Sequence, residues 1–581
     1  MGVYRNDPGL PSLPVPTLED TCTALRQMMR PLLDDGTYRK ACRQLDRFGH
    51  GEGPALHKFL LRWQQELGSG RSWLRPLWDD SYLTYRGRLP VWMNYCFQLV
   101  PGRWGDRGLP SLIWALARQQ LLLGQQKLPP EIFAEGYLSM DTVRTMFYTR
   151  IPGTVKDSLV LTSLTAPLTA AVACKGHWFI LNLTDGMQLV SPDGLGAALT
   201  AIRGMAAEMG EAPGIGSFTT ANRAQAAAIR DELLKHPLNR AGLGAIEESA
   251  FAVCLDDGDL PEDSFLSAVL FGTPENRWFD KSLQIIAGRE REIGLNFEHA
   301  GCDAAAWLYL LNLVDSSLLD EPLPAGRTSA PAHIRPLRWY ISETAQELLQ
   351  KAAEEYLRFT GEIQLAEAIL PDIGGDRVKA KHFRPDAFVQ LLYQMTYHRL
   401  TGRLRSVYES VSTRYFYEGR TECARPLTEA SAAFVKAFAE GGMAREQLQT
   451  RLRAAEQAHS RQLDRAKRAM GPERHLWGLQ AMDRMHAGLP GVPPWKETEL
   501  FSSEGYLTLT HDHLSTSSTA APYLAYFSIG PVVADGLGIG YGIQPGALHL
   551  AISSAPDSGI CPREFIRTLA AAAGALFALL D

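Results

Sequence analysis

The chain has 581 residues, of which 45% are hydrophobic and 21% charged, and a formal net charge of −6. That length exceeds what one hydrophobic core organises, so two or more domains are expected. The acidic balance excludes a binder of nucleic-acid polymers, which needs a basic surplus, and leaves room only for a local basic patch facing one phosphate group.

The opening Met1-Gly2-Val3-Tyr4-Arg5-Asn6 carries no apolar signal core, and Asn6 stands where a myristoylation signal takes Ser or Thr. No run of eighteen apolar residues occurs, so no membrane insertion is expected and a cytoplasmic location is the default. Residues 8–17 are punctuated by Pro8, Pro11, Pro14 and Pro16 and should run extended before a helix from about Leu18. Short helical patterns follow, rich in tryptophan (Trp63, Trp73, Trp78, Trp92). Residues 157–195 alternate apolar stretches with turns and read as strands, most clearly over 175–183. Residues 221–236 and 303–315 read as helices.

Four prolines between Pro322 and Pro336 mark the best domain boundary. Beyond it, helices are expected over 342–359, 385–400 and 445–470. The last eighty residues return to strand character at 506–510 and 523–533, and 569–580 reads as a terminal packed helix. The glycines from Gly536 to Gly542 are not a dinucleotide fingerprint, because Tyr541 stands where a glycine is required; their period of two suggests a strand against a crowded surface. The eight cysteines are scattered and form no CxxC pair, which fits reduced thiols rather than a zinc site or a disulfide framework.

Several short motifs could carry chemistry. His299 lies in Gly294-Leu295-Asn296-Phe297-Glu298-His299-Ala300-Gly301-Cys302-Asp303. A neutral imidazole can take the proton of an attacking hydroxyl, and Asp303, four residues on, can tie down the local backbone or a neighbour. A histidine beside a carboxylate is more often structural, so the motif needs company. Ser515-Thr516-Ser517 is ordinarily a turn or strand edge; its functional alternative is a hydroxyl aimed at a developing oxyanion. Tyr408, Thr421 and Arg474 could together bind a carboxylate through a guanidinium fork, but sequence alone does not show that they converge. Lys379 and Lys381 precede a helix start and suit a phosphate, or else a solvated face. His511-Asp512-His513 could ligate metal, but no third ligand is evident nearby, and no metal is expected. No GxSxG elbow or P-loop is present.

Taken together, these segments resemble the choline/carnitine O-acyltransferase family. The likeness begins at Leu10-Pro11-Ser12-Leu13-Pro14-Val15-Pro16 and continues through Ser72-Trp73-Leu74, Tyr82-Leu83 and Asn276-Arg277-Trp278-Phe279-Asp280-Lys281. It is densest from Pro385 to Arg425 and ends at Ser515-Thr516-Ser517 and Gly530-Pro531-Val532-Val533. The resemblance implies an α/β fold of two chloramphenicol-acetyltransferase-like lobes, mixed sheets flanked by helices, with an active-site tunnel between them. The expected division is residues 80–341 as an N-lobe with the histidine, 342–581 as a C-lobe with the CoA and carnitine contacts, and 1–79 as a helical segment packed mainly on the C-lobe.

The resemblance also implies roles. His299 would be the catalytic base, with Asp303 beside it, and Ser517 would hold the oxyanion. Tyr408, Thr421, Arg474 and Ser515 would bind carnitine; choline-specific members resemble this chain less here, lacking the arginine and the threonine. Lys379 and Asp386 would face CoA. Phe527, three residues before Gly530, would fill the acyl pocket and select a short acyl group, acetyl foremost. The chain departs from the pattern in four places. Asp303-Ala304 stands where a carboxylate and glycine are usual. Gly375 replaces a phosphate-facing lysine, for which Arg377 would compensate. Ser518 replaces a frequent glutamine, and Ile529 an aromatic near the trimethylammonium group. The expected reaction is reversible acyl transfer between acyl-CoA, a co-substrate with no permanent cofactor beside it, and L-carnitine, by a monomer. The alternatives are choline or another alcohol as acceptor, an acyl carrier protein as donor, or a binding protein that kept the fold without turnover.

Overall fold

The computed structural model describes residues 2–68, 70–105, 108–134, 136–256, 265–288, 291–320, 332–487 and 498–581. The chain forms two compact units: Met1–Asp7 with Asp79–Ile363 and Ala521–Gly530, and Pro8–Trp78 with Gln364–Ala520 and Pro531–Asp581. Each unit is built on one large mixed sheet flanked by helices, the fold class that the sequence led us to expect.

The sheet of the first unit has eight strands in the order Ile334–Pro336, His177–Asn182, Thr169–Cys174, Ala252–Leu255, Leu283–Ala287, Ile293–Phe297, Tyr95–Leu99 and Leu524–Ile529. Ala252–Leu255 runs parallel to both of its neighbours, and the other pairs are antiparallel. Its central strands Ala252–Leu255, Leu283–Ala287 and Ile293–Phe297 are buried along their whole length, which explains their largely apolar sequences. Helices Gly108–Gly124, Pro192–Glu208 and Ala304–Asp320 contribute Leu112, Leu195, Trp307 and Leu310 to the same core. The sheet ends at Gly530, where an added Cβ would lie 2.0 Å from the Val91 carbonyl oxygen; only glycine allows that approach.

The sheet of the second unit has six strands in the order Gln364–Leu370, Leu548–Ser554, Leu537–Ile543, Leu514–Ser518, Val407–Ser412 and Thr421–Ala424. Helices Pro385–Thr401 and Pro562–Leu580 pack with it through Phe388, Leu392, Phe565 and Phe577. The helices expected from about Leu18 and over 342–359, 385–400 and 445–470 appear as Leu18–Met29, Glu343–Gly361, Pro385–Thr401 and Arg445–Lys467. Thr17 and Ser342 cap two of them by accepting backbone N–H groups.

Two expectations are corrected. Residues 506–510 are not a strand: Glu504–Thr510 is a helix, because Ser503 accepts the Tyr506 N–H as its cap. Tyr506 and Leu509, three apart, are buried while Leu507 is 52% exposed, so helical spacing prevails over the apparent alternation. Helix Glu343–Gly361 and strand Leu524–Ile529 lie in the first unit, although a break at 341/342 assigned both to the second; the strand pairs in register with Tyr95–Leu99. Most of the proline-rich stretch from Pro322 lies outside the described residues, and Pro336 ends a strand. Among the described residues, no helix is long and apolar enough to cross a membrane.

Candidate active site

In the first unit, strand Ile293–Phe297 delivers Glu298 and His299 at its end, and helix Ala304–Asp320 starts just after Asp303. The intervening turn is clamped from inside. Glu298 is fully buried, and its carboxylate accepts from Ala300 N–H (2.9 Å), Arg150 Nη1 (2.8 Å) and the Tyr148 hydroxyl. The Tyr148 hydroxyl in turn accepts the Gly301 N–H at 3.0 Å. Arg150 also donates from Nη2 to the Tyr82 carbonyl (2.6 Å) and from Nε to Asp157 (2.6 Å). Asp157 shares its Oδ2 with Arg223 Nε at 2.7 Å. Buried charges of this kind persist only when paired on every side, and here the pairing fixes the backbone on both sides of His299.

His299 itself is 28% exposed at its side chain. Its ring packs on Tyr82 (centroids 5.2 Å) and edge-on to Tyr95 (5.0 Å). Nδ1 lies 3.6 Å from Asp303 Oδ1, an electrostatic contact rather than a formed hydrogen bond. Asp303 reaches it across a turn, not along a helix, because the helix begins at Ala304. Phe527 is buried opposite Phe97 in the strand register, and its ring meets Phe97 (5.6 Å) and Tyr95 (6.3 Å). Tyr95 therefore touches both His299 and Phe527. Ile529 pairs with Tyr95 in the same register.

In the second unit, Tyr408, Thr421 and Arg474 converge. Arg474 Nη2 donates to the Tyr408 hydroxyl at 2.9 Å and reaches Thr421 Oγ1 at 3.5 Å, while Nε donates to the Thr421 carbonyl at 3.2 Å. The guanidinium lies 4.4 Å from the Trp78 ring centroid, a cation–π contact. The acids acting on it are Glu422 and Glu473. Burial pushes the Glu422 carboxyl up to about 7, against the opposing pull of Arg474. Glu473 is held by both nitrogens of the Arg425 fork. Among the described residues the guanidinium thus hydrogen-bonds to neutral oxygens, with Glu473 acting on it electrostatically. Strand register sets Ser515 beside Tyr408 and Ser517 beside Gly540. Ser515 and Ser517 share one face of the sheet; Thr516 turns to the other, donating to the Tyr408 carbonyl and accepting from Gln390.

The expected CoA residues are less uniform. Lys379 is exposed on the short helix Gly375–Ala380. Arg377 lies with its guanidinium 4.0 Å from the Phe577 ring centroid and donates to the Asp372 carbonyl at 2.9 Å. Asp386 is bound inside the fold, accepting from Tyr541 at 2.8 Å and lying 2.9 Å from His459 Nε2. Against the upward push of burial these hydrogen bonds hold the Asp386 carboxyl low, and burial, with the Asp386 charge beside it, drives neighbouring Glu409 well above the carboxylate range. Sequence reading missed Tyr95, Tyr148 and Arg150 and gave Glu298 and Trp78 no role in the site; Tyr82 stood there only as part of the family likeness. It also found no third donor for His511 and His513, which the structure supplies in Asp535.

The Choline/Carnitine o-acyltransferase family model matches residues 13–571. The chain belongs to this family. It is 30% identical over 584 residues to choline O-acetyltransferase of Sus scrofa, covering 95% of this chain and 89% of that protein. The Mus musculus choline O-acetyltransferase is 31% identical over 94% of this chain and 88% of that protein. The Mus musculus peroxisomal carnitine O-octanoyltransferase is 28% identical, with 95% of this chain and 93% of that protein covered. Family membership makes the chain an acyltransferase of the choline/carnitine kind by descent.

Proposed function

We propose that the protein transfers a short acyl group, acetyl foremost, reversibly between acyl-CoA and the hydroxyl of L-carnitine. The observation that carries this reading is the convergence of Tyr408, Thr421 and Arg474. Carnitine has a carboxylate and choline does not, and a guanidinium whose hydrogen bonds among the described residues go to neutral oxygens favours the acceptor that brings an anion. In this reading His299, with Nδ1 turned to Asp303, takes the proton of the carnitine hydroxyl on Nε2. The alkoxide oxygen attacks the thioester carbonyl, and Ser517 stabilises the oxyanion. The C–S bond then breaks as the intermediate collapses, and the proton passes from His299 to the departing thiolate. Phe527 limits the acyl chain, and Lys379 faces the CoA phosphate. No acyl-enzyme is needed.

Choline as acceptor is the second reading, and it is favoured by the choline O-acetyltransferases at 30–31% identity. An acyl carrier protein as donor is supported by Gly375 and by the engagement of Arg377 with Phe577; an unchanged KM with acetyl-dephospho-CoA would favour it. The base assignment is tested with His299→Ala. Turnover should vanish while thermal unfolding stays close to that of the parent, since the side chain is partly exposed. Substantial activity in the folded variant would refute it.

A further inference from the structure

We propose that His511, His513 and Asp535 form a surface site for a divalent transition-metal ion of the zinc class, in a region to which the acyl-transfer reading assigns no role. The lead-ins to two adjacent parallel strands create it. Leu514 pairs with Leu537, so His513 and Asp535, just upstream of these strands, are held side by side. The Leu537 N–H donates to the His513 carbonyl at 2.7 Å, which ties the two lead-ins together. One donor atom from each of the three side chains lies within 4.8 Å of the others. His511 Nε2 is 2.6 Å from Asp535 Oδ1, and His513 Nε2 is 3.1 Å from Asp535 Oδ2.

The tautomer of His513 is the second, independent observation. Its Nδ1 lies 3.1 Å from the His511 carbonyl oxygen, which can only accept. Nδ1 therefore carries the hydrogen, and a neutral His513 turns the Nε2 lone pair toward the Asp535 carboxylate. Two acceptors face each other at hydrogen-bond distance, and a cation between them resolves the conflict. Ring N–H to backbone carbonyl is also how metal-ligating histidines are commonly oriented. Two imidazoles and a carboxylate suit zinc, cobalt, nickel or copper better than calcium or magnesium. His511 and Asp535 are each about two-fifths exposed, so the ion can enter from solvent and keep water in its remaining position.

The alternative occupant is a proton, giving an imidazolium–carboxylate pair and no metal site. Titration of the full chain with CoCl2, followed by visible absorption, and with ZnCl2, followed by calorimetry, separates them. The expected result is one equivalent bound, lost in His513→Ala and in Asp535→Asn. Zinc should raise the unfolding temperature of the parent and leave that of both variants unmoved. Both variants should release CoA thiol at the parent rate in metal-free buffer, which shows that they fold. Absence of binding by the parent, or binding retained in both variants through other histidines or exposed Cys561, would overturn the proposal.

Discussion

Phe527 in the first unit and Glu422 in the second are single side chains whose surroundings give testable expectations. Phe527 lies edge-on to Phe97 and to Tyr95, which in turn touches His299. Phe527→Gly should therefore open space on the histidine side, raising kcat/KM for octanoyl-CoA at least about tenfold relative to acetyl-CoA, at a stability cost of about 3–5 kcal/mol. An unchanged octanoyl-to-acetyl ratio in the folded variant would remove Phe527 from the acyl pocket. Glu422 is a buried carboxyl beside Arg474 whose pKa is pushed up to about 7 from 4.5. The folded state keeps a proton that the unfolded state has lost between these values. Stability is therefore lost as pH rises through that window, by up to about 3 kcal/mol at about 1.4 kcal/mol per pH unit. His475 works in the opposite sense: burial drops it to about 3, so its contribution is present above its unfolded value of 6.5 and lost as pH falls. The isolated effect appears in a difference. Denaturant unfolding of Glu422→Gln should show a gain over the parent that grows between about pH 5 and pH 7; a constant difference would contradict the assigned protonation.

At the level of elements, the turn from Glu298 to Asp303 is held by a strand end on one side and by Arg150 on the other. Arg150 touches the Glu298 carboxylate and the Tyr82 carbonyl, residues that flank or pack on His299. Arg150→Met would leave two buried carboxylates, Glu298 and Asp157, short of a partner. It should cost about 3–5 kcal/mol in chemical denaturation, whereas Lys156→Met, which removes an exposed pair with Asp80, should cost less than about 1 kcal/mol. Equal losses would mean that the buried network does not brace the turn. The motif Asn276 to Lys281 belongs to the same scaffolding. Arg277 pairs with Asp256, Asp280 with Arg223, and the Lys281 ammonium donates to the Glu247 and Ser249 carbonyls. In sequence these residues stood only as one segment of the family likeness, and their burial shows that they are structural. The helix at Glu504–Thr510 was illegible for a related reason: five residues of alternating pattern fit a strand, and the deciding fact is a serine cap outside the pattern. The longer helices were legible because three or more turns of periodicity leave little ambiguity.

Across the whole molecule, ordered motifs spread over the chain made the family and the two-sheet α/β class readable, and these rest on many residues at once. Pairwise meetings were not readable. Nothing in the spacing of Tyr408, Thr421 and Arg474 says that their side chains share a point; that follows from strand Val407–Ser412 pairing with strand Thr421–Ala424, and from the helix that carries Arg474 packing on the latter. The same holds for Asp535 completing a triad with two histidines more than twenty residues upstream. The choline O-acetyltransferases are 30–31% identical to the chain and the carnitine O-octanoyltransferase 28%, while the proposed carnitine acceptor rests on the Arg474 cluster. The most direct test follows CoA thiol release from acetyl-CoA with L-carnitine and choline offered in parallel. Release with carnitine, and a steep rise of its KM in Arg474→Ala, is the expected result. Release with choline alone, at a rate untouched by that substitution, would contradict it.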